Sequence, residues 1–322
     1  MRNHLVWFCL ILSICLIACK KNKLEADVTD KSLSIDMRLN KIKFLGDKTF
    51  IVGGERFTQA HIYSIENEGN ALDIVLPSTA SQKEIYGLDI RNDGHIIAVG
   101  YDGSVFTSKD SGTTWSFSQH GMWKEFQAVA IGSTDSALVV GGHGFREGII
   151  AHISTEGNGS NALSALRNFE MSDIEFVSPN RVYISGYGAI LRSNDAGSTW
   201  NFTNAENEFF KAMAWQNEET GIAIGYEGSI YKTSDGGNGW RVIRNGNNFL
   251  KKKYHFLDIA KNSSDTYVVV GEEGTVWLST NGGEDWKELA SFTKKDLRGV
   301  SFRNENTFVV VGEEGAIFSI KI

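Results

Sequence analysis

Thr266-Tyr267-Val268-Val269-Val270-Gly271-Glu272-Glu273-Gly274-Thr275-Val276-Trp277-Leu278-Ser279 is the stretch whose reading decides the fold. Two runs of β-branched and aromatic residues, each too short for a helix, flank a Gly-Glu-Glu-Gly turn. Glycine supplies positive φ in such a turn without steric cost. Working outward, Phe256 to Ala260 reads as a strand before this hairpin, and Trp286 to Leu289 as a strand after a longer loop. The unit is a four-stranded antiparallel sheet. Its strands alternate or are continuously apolar, as expected where both faces pack on neighbours.

The unit recurs along the chain. Its signature appears as Ile51-Val52-Gly53-Gly54, Ala98-Val99-Gly100-Tyr101-Asp102-Gly103, Val139-Val140-Gly141-Gly142, Ile184-Ser185-Gly186-Tyr187-Gly188, Ala223-Ile224-Gly225-Tyr226-Glu227-Gly228 and Val310-Val311-Gly312-Glu313-Glu314-Gly315. Together with the opening stretch these make seven copies, spaced by roughly 40 to 46 residues, a period of short strands that predicts a β-propeller. The seventh copy stops after Ile320 without an outer strand, and an orphan strand, Leu33 to Leu39, precedes the first copy. The expected fold class is therefore all-β: a seven-bladed β-propeller of four-stranded antiparallel blades, with the N-terminal strand Leu33 to Leu39 closing the last blade. Closure removes a free sheet edge that would otherwise pair with other chains.

Four copies carry a second motif after their third strand. They run from Ser108 through Asp110 and Gly112 to Trp115, and from Ser193 through Asp195 and Gly197 to Trp200. The others run from Thr233 through Asp235 and Gly237 to Trp240, and from Ser279 through Asn281 and Gly283 to Trp286. A short Asp or Asn side chain accepts hydrogen bonds from its own turn, the Gly allows a left-handed residue, and the Trp packs between sheets. The motif reads as a structural staple, not as four catalytic acids or calcium loops, since each loop offers at most one such carboxylate.

These loops resemble the Asp-box, or BNR, repeat. Asp boxes occur in sialidases, sortilin-like receptors and propellers resembling photosystem II stability/assembly factors, and the compact chain is most similar to the last group. That resemblance covers roughly residues 33 to 322 and implies a non-catalytic scaffold that helps assemble membrane complexes. Fold alone does not fix activity.

The N-terminus carries a different signal. Leu5 to Ala18 is almost wholly apolar, long enough for a signal-peptide core and too short for a spanning helix. It ends in Leu16-Ile17-Ala18-Cys19 followed by Lys20, Lys21, Asn22 and Lys23, which resembles the lipobox of bacterial lipoproteins. The resemblance implies cleavage before Cys19 and diacylation of that residue, and two acyl chains anchor a protein stably. The expected organisation is a signal peptide over 1–18, a polar tether over 19–31 and the propeller over 32–322. The expected location is an exported, membrane-anchored lipoprotein. Lys20, where enteric lipoproteins retained at the inner membrane have Asp, points to the outer membrane.

Composition narrows the function classes. The chain has 322 residues, a net charge of -7, 34 Gly and 2 Pro. Mild acidity argues against a nucleic-acid partner. All three cysteines (Cys9, Cys15 and Cys19) lie in the export segment, so disulfides, thiolate zinc sites and cysteine nucleophiles are excluded from the rest. His61, His95, His120, His143, His152 and His255 show no metal-ligand spacing, and no cofactor or metal is expected. The sialidase alternative requires three converging arginines, a Tyr-Glu pair and an acid/base carboxylate. Arg38, Arg56, Arg146, Arg192, Arg241 and Arg298 are candidates, but no motif selects among them. The sequence thus favours a non-enzyme, with a glycan-binding or glycan-hydrolysing propeller as the alternative.

The glycine turns and the inter-blade linkers converge on one face of a propeller. The expected binding rim there is Arg56, Tyr101, His143, Phe145, Arg146, Tyr187, Tyr226, Glu227, Glu272, Lys251, Lys253, Tyr254 and Arg298. Aromatics mixed with fixed charges suit a protein or glycan partner. The third copy's turn, Gly141 to Gly148, is longer than the others, and long loops tend to carry function. The expected molecule is a monomeric propeller, joined to the membrane through its N-terminal lipid.

Overall fold

The computed structural model describes residues 23–322 except 67–68, 75, 77–82, 121–123, 134–135, 145–146, 156–159, 168 and 249–251, with the backbone alone for 160–167. The chain is an all-β propeller whose strands form six sheets rather than seven separate blades. The first sheet holds Arg38–Leu45, Lys48–Glu55, Gln59–Glu66 and Leu72–Asp73. The second holds Ile85–Ile90, Ile96–Gly100, Ser104–Ser108 and Ser116–Gln119, and the third spans Glu125–Ile131, Ser136–His143, Glu147–Ser154 and Ser160–Arg167. The fifth holds Phe256–Lys261, Tyr267–Gly271, Val276–Ser279 and Lys287–Glu288.

The fourth sheet corrects the expected blade number. It has six strands, Met171–Phe176, Val182–Ser193, Asn201–Trp215, Gly221–Gly225, Ile230–Thr233 and Arg241–Arg244, and it contains both the fourth and the fifth glycine-turn copies. The 15-residue strand Asn201–Trp215 is the cause. Its first half pairs with Val182–Ser193 and its second half with Gly221–Gly225, so no break separates the two copies. Repeat counting assumed a loop at each boundary. Asn207 bends the chain with a left-handed φ of 64°, but no loop intervenes and the strand runs on through it.

The sixth sheet closes the ring. Leu297–Asn304, Thr307–Gly312 and Ile317–Lys321 are joined at the outside by Asp27–Asp30, which pairs antiparallel with Ile317–Lys321. The closing strand is therefore Asp27–Asp30, inside the expected tether, and not Leu33 to Leu39. The physical reason is exposure. An outermost strand faces water, and the polar Asp-Val-Thr-Asp suits it, with only Val28 partly buried. The more apolar Leu33 and Ile35 instead pack into the core between the sixth and first sheets.

The core lies between neighbouring sheets. Phe50, Val52 and Ile62 of the first sheet pack on Ile85, Ile96 and Phe106 of the second, all fully buried. Each such side chain contributes about 1.5–3 kcal/mol by leaving water. The four Trp-ended loops staple these packings from below, the end of the ring opposite the glycine turns. In one, Asp110 accepts from the Thr114 amide at 2.8 Å and the Thr114 hydroxyl at 2.6 Å, while the Ser108 hydroxyl accepts from the Gly112 amide at 2.9 Å. The same bonds recur at Asp195 and, for the backbone, at Asp235 and Asn281. Thr114 and Thr199 hold the carboxyls of Asp110 and Asp195 down at about 2. Trp115 and Trp286 donate their indole N–H to the Gly112 and Gly283 carbonyls at 3.0 Å, and Trp240 donates to Thr203 at 3.3 Å. Trp200 packs against the core of the third and fourth sheets.

Candidate functional site

Seven strand segments line the channel, and each carries a β-bulge, near the strand start in six and in the second half of Asn201–Trp215 in the other. The register slips at Leu39/Lys41, Ile85/Gly87, Phe126/Ala128, Met171/Asp173, Phe210/Ala212, Phe256/Asp258 and Leu297/Gly299. A bulge leaves one residue unpaired and re-aims its side chain. The skipped residues are Asn40, Tyr86, Gln127, Ser172, Lys211, Leu257 and Arg298. Backbones also come close there. A side chain at Gly271 would collide with the His255 carbonyl, and one at Gly312 with the Asp296 carbonyl. This explains the first Gly of the signature, while positive φ (67° at Gly274) explains the second.

On the upper face, between the fourth and fifth sheets, the rings form a continuous arc. Tyr187 lies edge-on to Phe209 at 6.0 Å, Phe209 is 6.0 Å from Tyr226, and Tyr226 stacks on His255 at 4.5 Å. Glu272 fixes the far end, accepting from the Tyr226 hydroxyl at 2.9 Å and lying 2.6 Å from His255 Nδ1. Burial and that carboxylate push the Tyr226 hydroxyl up to about 12, so it stays a donor at neutral pH. The Lys211 ammonium stands 5.7 Å from the Phe209 ring, and burial lowers its pKa. Tyr187 is 46% exposed, which leaves an aromatic face open to a partner.

A second cluster sits on the first and second sheets. Arg56 hydrogen-bonds the Tyr86 hydroxyl at 3.1 Å, pairs with Glu125 at 2.8 Å and lies 5.0 Å from the Tyr101 ring. Phe57, 67% exposed with a φ of 67°, meets Tyr101 edge-on at 4.9 Å. Arg298 pairs with Glu313 at 2.9 Å at the channel mouth, and Arg38 lies 3.7 Å from the same carboxylate. Glu227 pairs with Lys253. His143 is exposed at its turn, across the hairpin from Glu147.

Tyr254 is elsewhere. It is buried beside Phe256 and Trp277, its hydroxyl donates to Glu288 at 3.0 Å, and Arg244 lies 5.1 Å over its ring. Phe145, Arg146, Lys251 and Cys19 lie outside the described residues. The sequence reading missed Tyr86, Asn40 and Gln127. The available signal was a large apolar residue, one variable position, then a small or polar residue at the head of each inner strand.

Below the mouth, the channel widens into a cavity of about 430 Å³ lined by Lys41, Lys43, Asp89, Asp173, Glu175 and Asp258. Its aspartates stitch inner strands together. Asp89 accepts from the Ile131 amide at 2.8 Å, Asp173 from Met213 at 2.9 Å and Asp258 from Val300 at 3.0 Å. Lys41 pairs with Asp258 at 2.6 Å and Lys43 with Asp89 at 3.5 Å. Burial, reinforced by Asp173, pushes Glu175 up to about 8. Among the described residues, no group of three or more His, Asp, Glu or Cys side chains is arranged to hold a metal. Of the described candidate arginines, Arg38 and Arg298 meet at Glu313 at the mouth, and two others lie far from them. Arg192 is bound to the Gly236 carbonyl at 2.7 Å and Arg241 to Glu284 at 2.7 Å, both at the lower loops.

Fold and site together define a β-propeller with an aromatic, charge-studded upper rim over a polar channel. No family model matches the sequence, and neither does any curated protein. Solved structures do match in fold. YCF48 bound to a D1 peptide is 16% identical with a TM-score of 0.73, over 93% of this chain and 99% of that one. A catalytically inactive virginiamycin B lyase from Staphylococcus aureus with quinupristin is 13% identical with a TM-score of 0.76, over 92% and 100%. The WD40 propeller domain of Doa1 is 11% identical with a TM-score of 0.69, over 92% and 96%.

Proposed function

We propose that this chain is a non-catalytic scaffold of the cell envelope, exported and held at the outer membrane by lipid on Cys19, whose upper rim docks a protein partner. The observation that carries the reading is the arc Tyr187, Phe209, Tyr226 and His255. It offers contiguous aromatic surface, oriented by Glu272 and flanked by Lys211, which is the composition of interface hot spots. The channel carboxylates, by contrast, are engaged with amides and lysines. Likeness in fold to YCF48, a photosystem II assembly factor, and to a WD40 propeller supports a scaffold. The resemblance of the four Trp-ended loops to Asp boxes agrees with it.

The test is affinity purification of the tagged lipoprotein from solubilised membranes, alongside a Phe209→Ala/Tyr226→Ala variant. Hot-spot truncations cost about 2 kcal/mol or more each, so the partner should fall at least thirty-fold in recovery. An unchanged partner list removes the rim from the reading. Recovery of no protein, with saturable binding of an oligosaccharide, moves the site to the glycan alternative.

A further inference from the structure

Of the residues that the bulges turn toward the channel, two are cations, Lys211 and Arg298. Their circumstances differ. Arg298 is held by Glu313 at 2.9 Å. Lys41, Lys43, Lys83 and Lys253, in the channel or at its rim, are likewise paired, with Asp258, Asp89, Asp102 and Glu227. The Lys211 side chain is half-buried, and its Nζ makes no hydrogen bond or ion pair with any described residue. What stands beside it is the Phe209 ring, 5.7 Å away.

An ammonium is poorly served there. Burial disfavours its charge, and Lys41 and Arg298 repel it. Glu170 and Asp173 pull the other way, but more weakly, so the pKa of Lys211 lies below the ordinary lysine value. Asp173 is already accepting from the Met213 amide at 2.9 Å. On the other side, the Arg298 Nε–H is shielded from solvent and meets no acceptor among the described residues. A buried donor of that kind costs free energy until an acceptor reaches it. Surroundings that penalise one more cation, and that hold an unused donor, favour an anion in its place.

We propose that Lys211 is a carbamylation site, where Nζ adds to dissolved carbon dioxide and Arg298 is the counter-charge of the carbamate that forms. The ammonium first gives a proton to water. The lone pair of the neutral amine then forms an N–C bond to carbon dioxide while one C=O π pair moves onto oxygen, and the nitrogen gives a second proton to water. The side chain passes from cation to anion, both protons leave through the channel mouth, and no electrons are exchanged. A carbamate oxygen is the acceptor that the Arg298 Nε–H lacks. The addition is reversible, so the sign of the charge beside Phe209 follows the carbon dioxide tension. The chemistry needs only the amine and its neighbours and does not rest on the docking of a partner.

The experiment equilibrates the purified full-length chain with carbon-13 bicarbonate at mildly alkaline pH. Triethyloxonium then alkylates the carbamate oxygen, fixing it as an ethyl carbamate that survives digestion, and peptide mass spectrometry locates the label. The reference is Lys294, an exposed lysine of the same rim. Label at Lys211 should exceed that at Lys294 by about ten-fold or more, since each 1.4 kcal/mol by which its neighbours favour the anion is a factor of ten. It should vanish in buffer stripped of carbon dioxide. Arg298→Gln should lower the label at Lys211 by a similar factor, with urea unfolding confirming that the variant is folded. Label at Lys211 no greater than at Lys294 in the unaltered chain overturns the proposal, whatever the variant does. Label that is indifferent to Arg298→Gln in a folded variant overturns the role given to Arg298.

Discussion

Asp258 is the most exacting test of how the ring is held. It is 3% exposed, pairs with Lys41 of the first sheet at 2.6 Å and accepts from the Val300 amide of the sixth at 3.0 Å, so one carboxylate joins three sheets across the channel. Asp258→Ala leaves the Lys41 ammonium without its nearest counter-charge and the Val300 amide without its acceptor. Breaking a buried pair from one side costs about 3–5 kcal/mol. The Lys41 side chain retains 24% exposure, so part of its charge is re-solvated and the lower end applies. The orphaned amide adds about 1 kcal/mol. The expected loss is thus about 4 kcal/mol, or roughly 6 °C in Tm at this size. Urea and thermal unfolding of the lipid-free form, followed by tryptophan fluorescence, measure it. Lys41→Met/Asp258→Leu removes both charges and should be more stable than Asp258→Ala alone. A single-variant loss under about 1 kcal/mol, or a double variant no better than that single one, would refute the idea that this pair braces the ring.

Three further outcomes follow from the same geometry. Glu175 titrates near 8 in the folded protein because burial and Asp173 disfavour its charge. Its folded pKa lies above the ordinary carboxyl value, so the native state holds the proton longer. Stability should fall as pH rises from about 4.5 to 8, and Glu175→Gln should flatten that fall in unfolding curves taken across the range. Gly282 and Gly283 both have positive φ, but only at Gly283 would a side chain strike Ile222. Gly282→Ala should therefore cost about 1 kcal/mol, and Gly283→Ala about 2 kcal/mol more, by urea unfolding. Removing residues 23–31 takes away the closing strand, and the variant should unfold at lower urea and self-associate in light scattering through the exposed edge of Ile317–Lys321.

The repeat and its turn chemistry were legible because they are local. The Gly271 to Gly274 turn and the Ser-x-Asp-x-Gly loops write their backbone angles and hydrogen bonds into adjacent residues, so spacing alone announced a propeller with staples beneath it. Much of the upper rim was legible for the same reason, since every glycine turn points to one face. Three things required the folded ring. Asn201–Trp215 fuses two copies into one sheet because a single strand, bent at Asn207, passes where a loop was expected, and that continuity depends on pairing from both sides. Asp27–Asp30 closes the ring in place of Leu33 to Leu39 because an outer strand is chosen by exposure, which is known only once the core is assembled. The channel pairs Lys41–Asp258 and Lys43–Asp89 join residues 217 and 46 positions apart, and the bulges that aim Lys211 and Arg298 at the mouth arise where backbones crowd. Sequence by itself thus determined the unit and the face it presents. Tertiary structure decided how many sheets the units make, what closes them and which charges meet, because burial and charge pairing are properties of the closed ring and not of any one repeat.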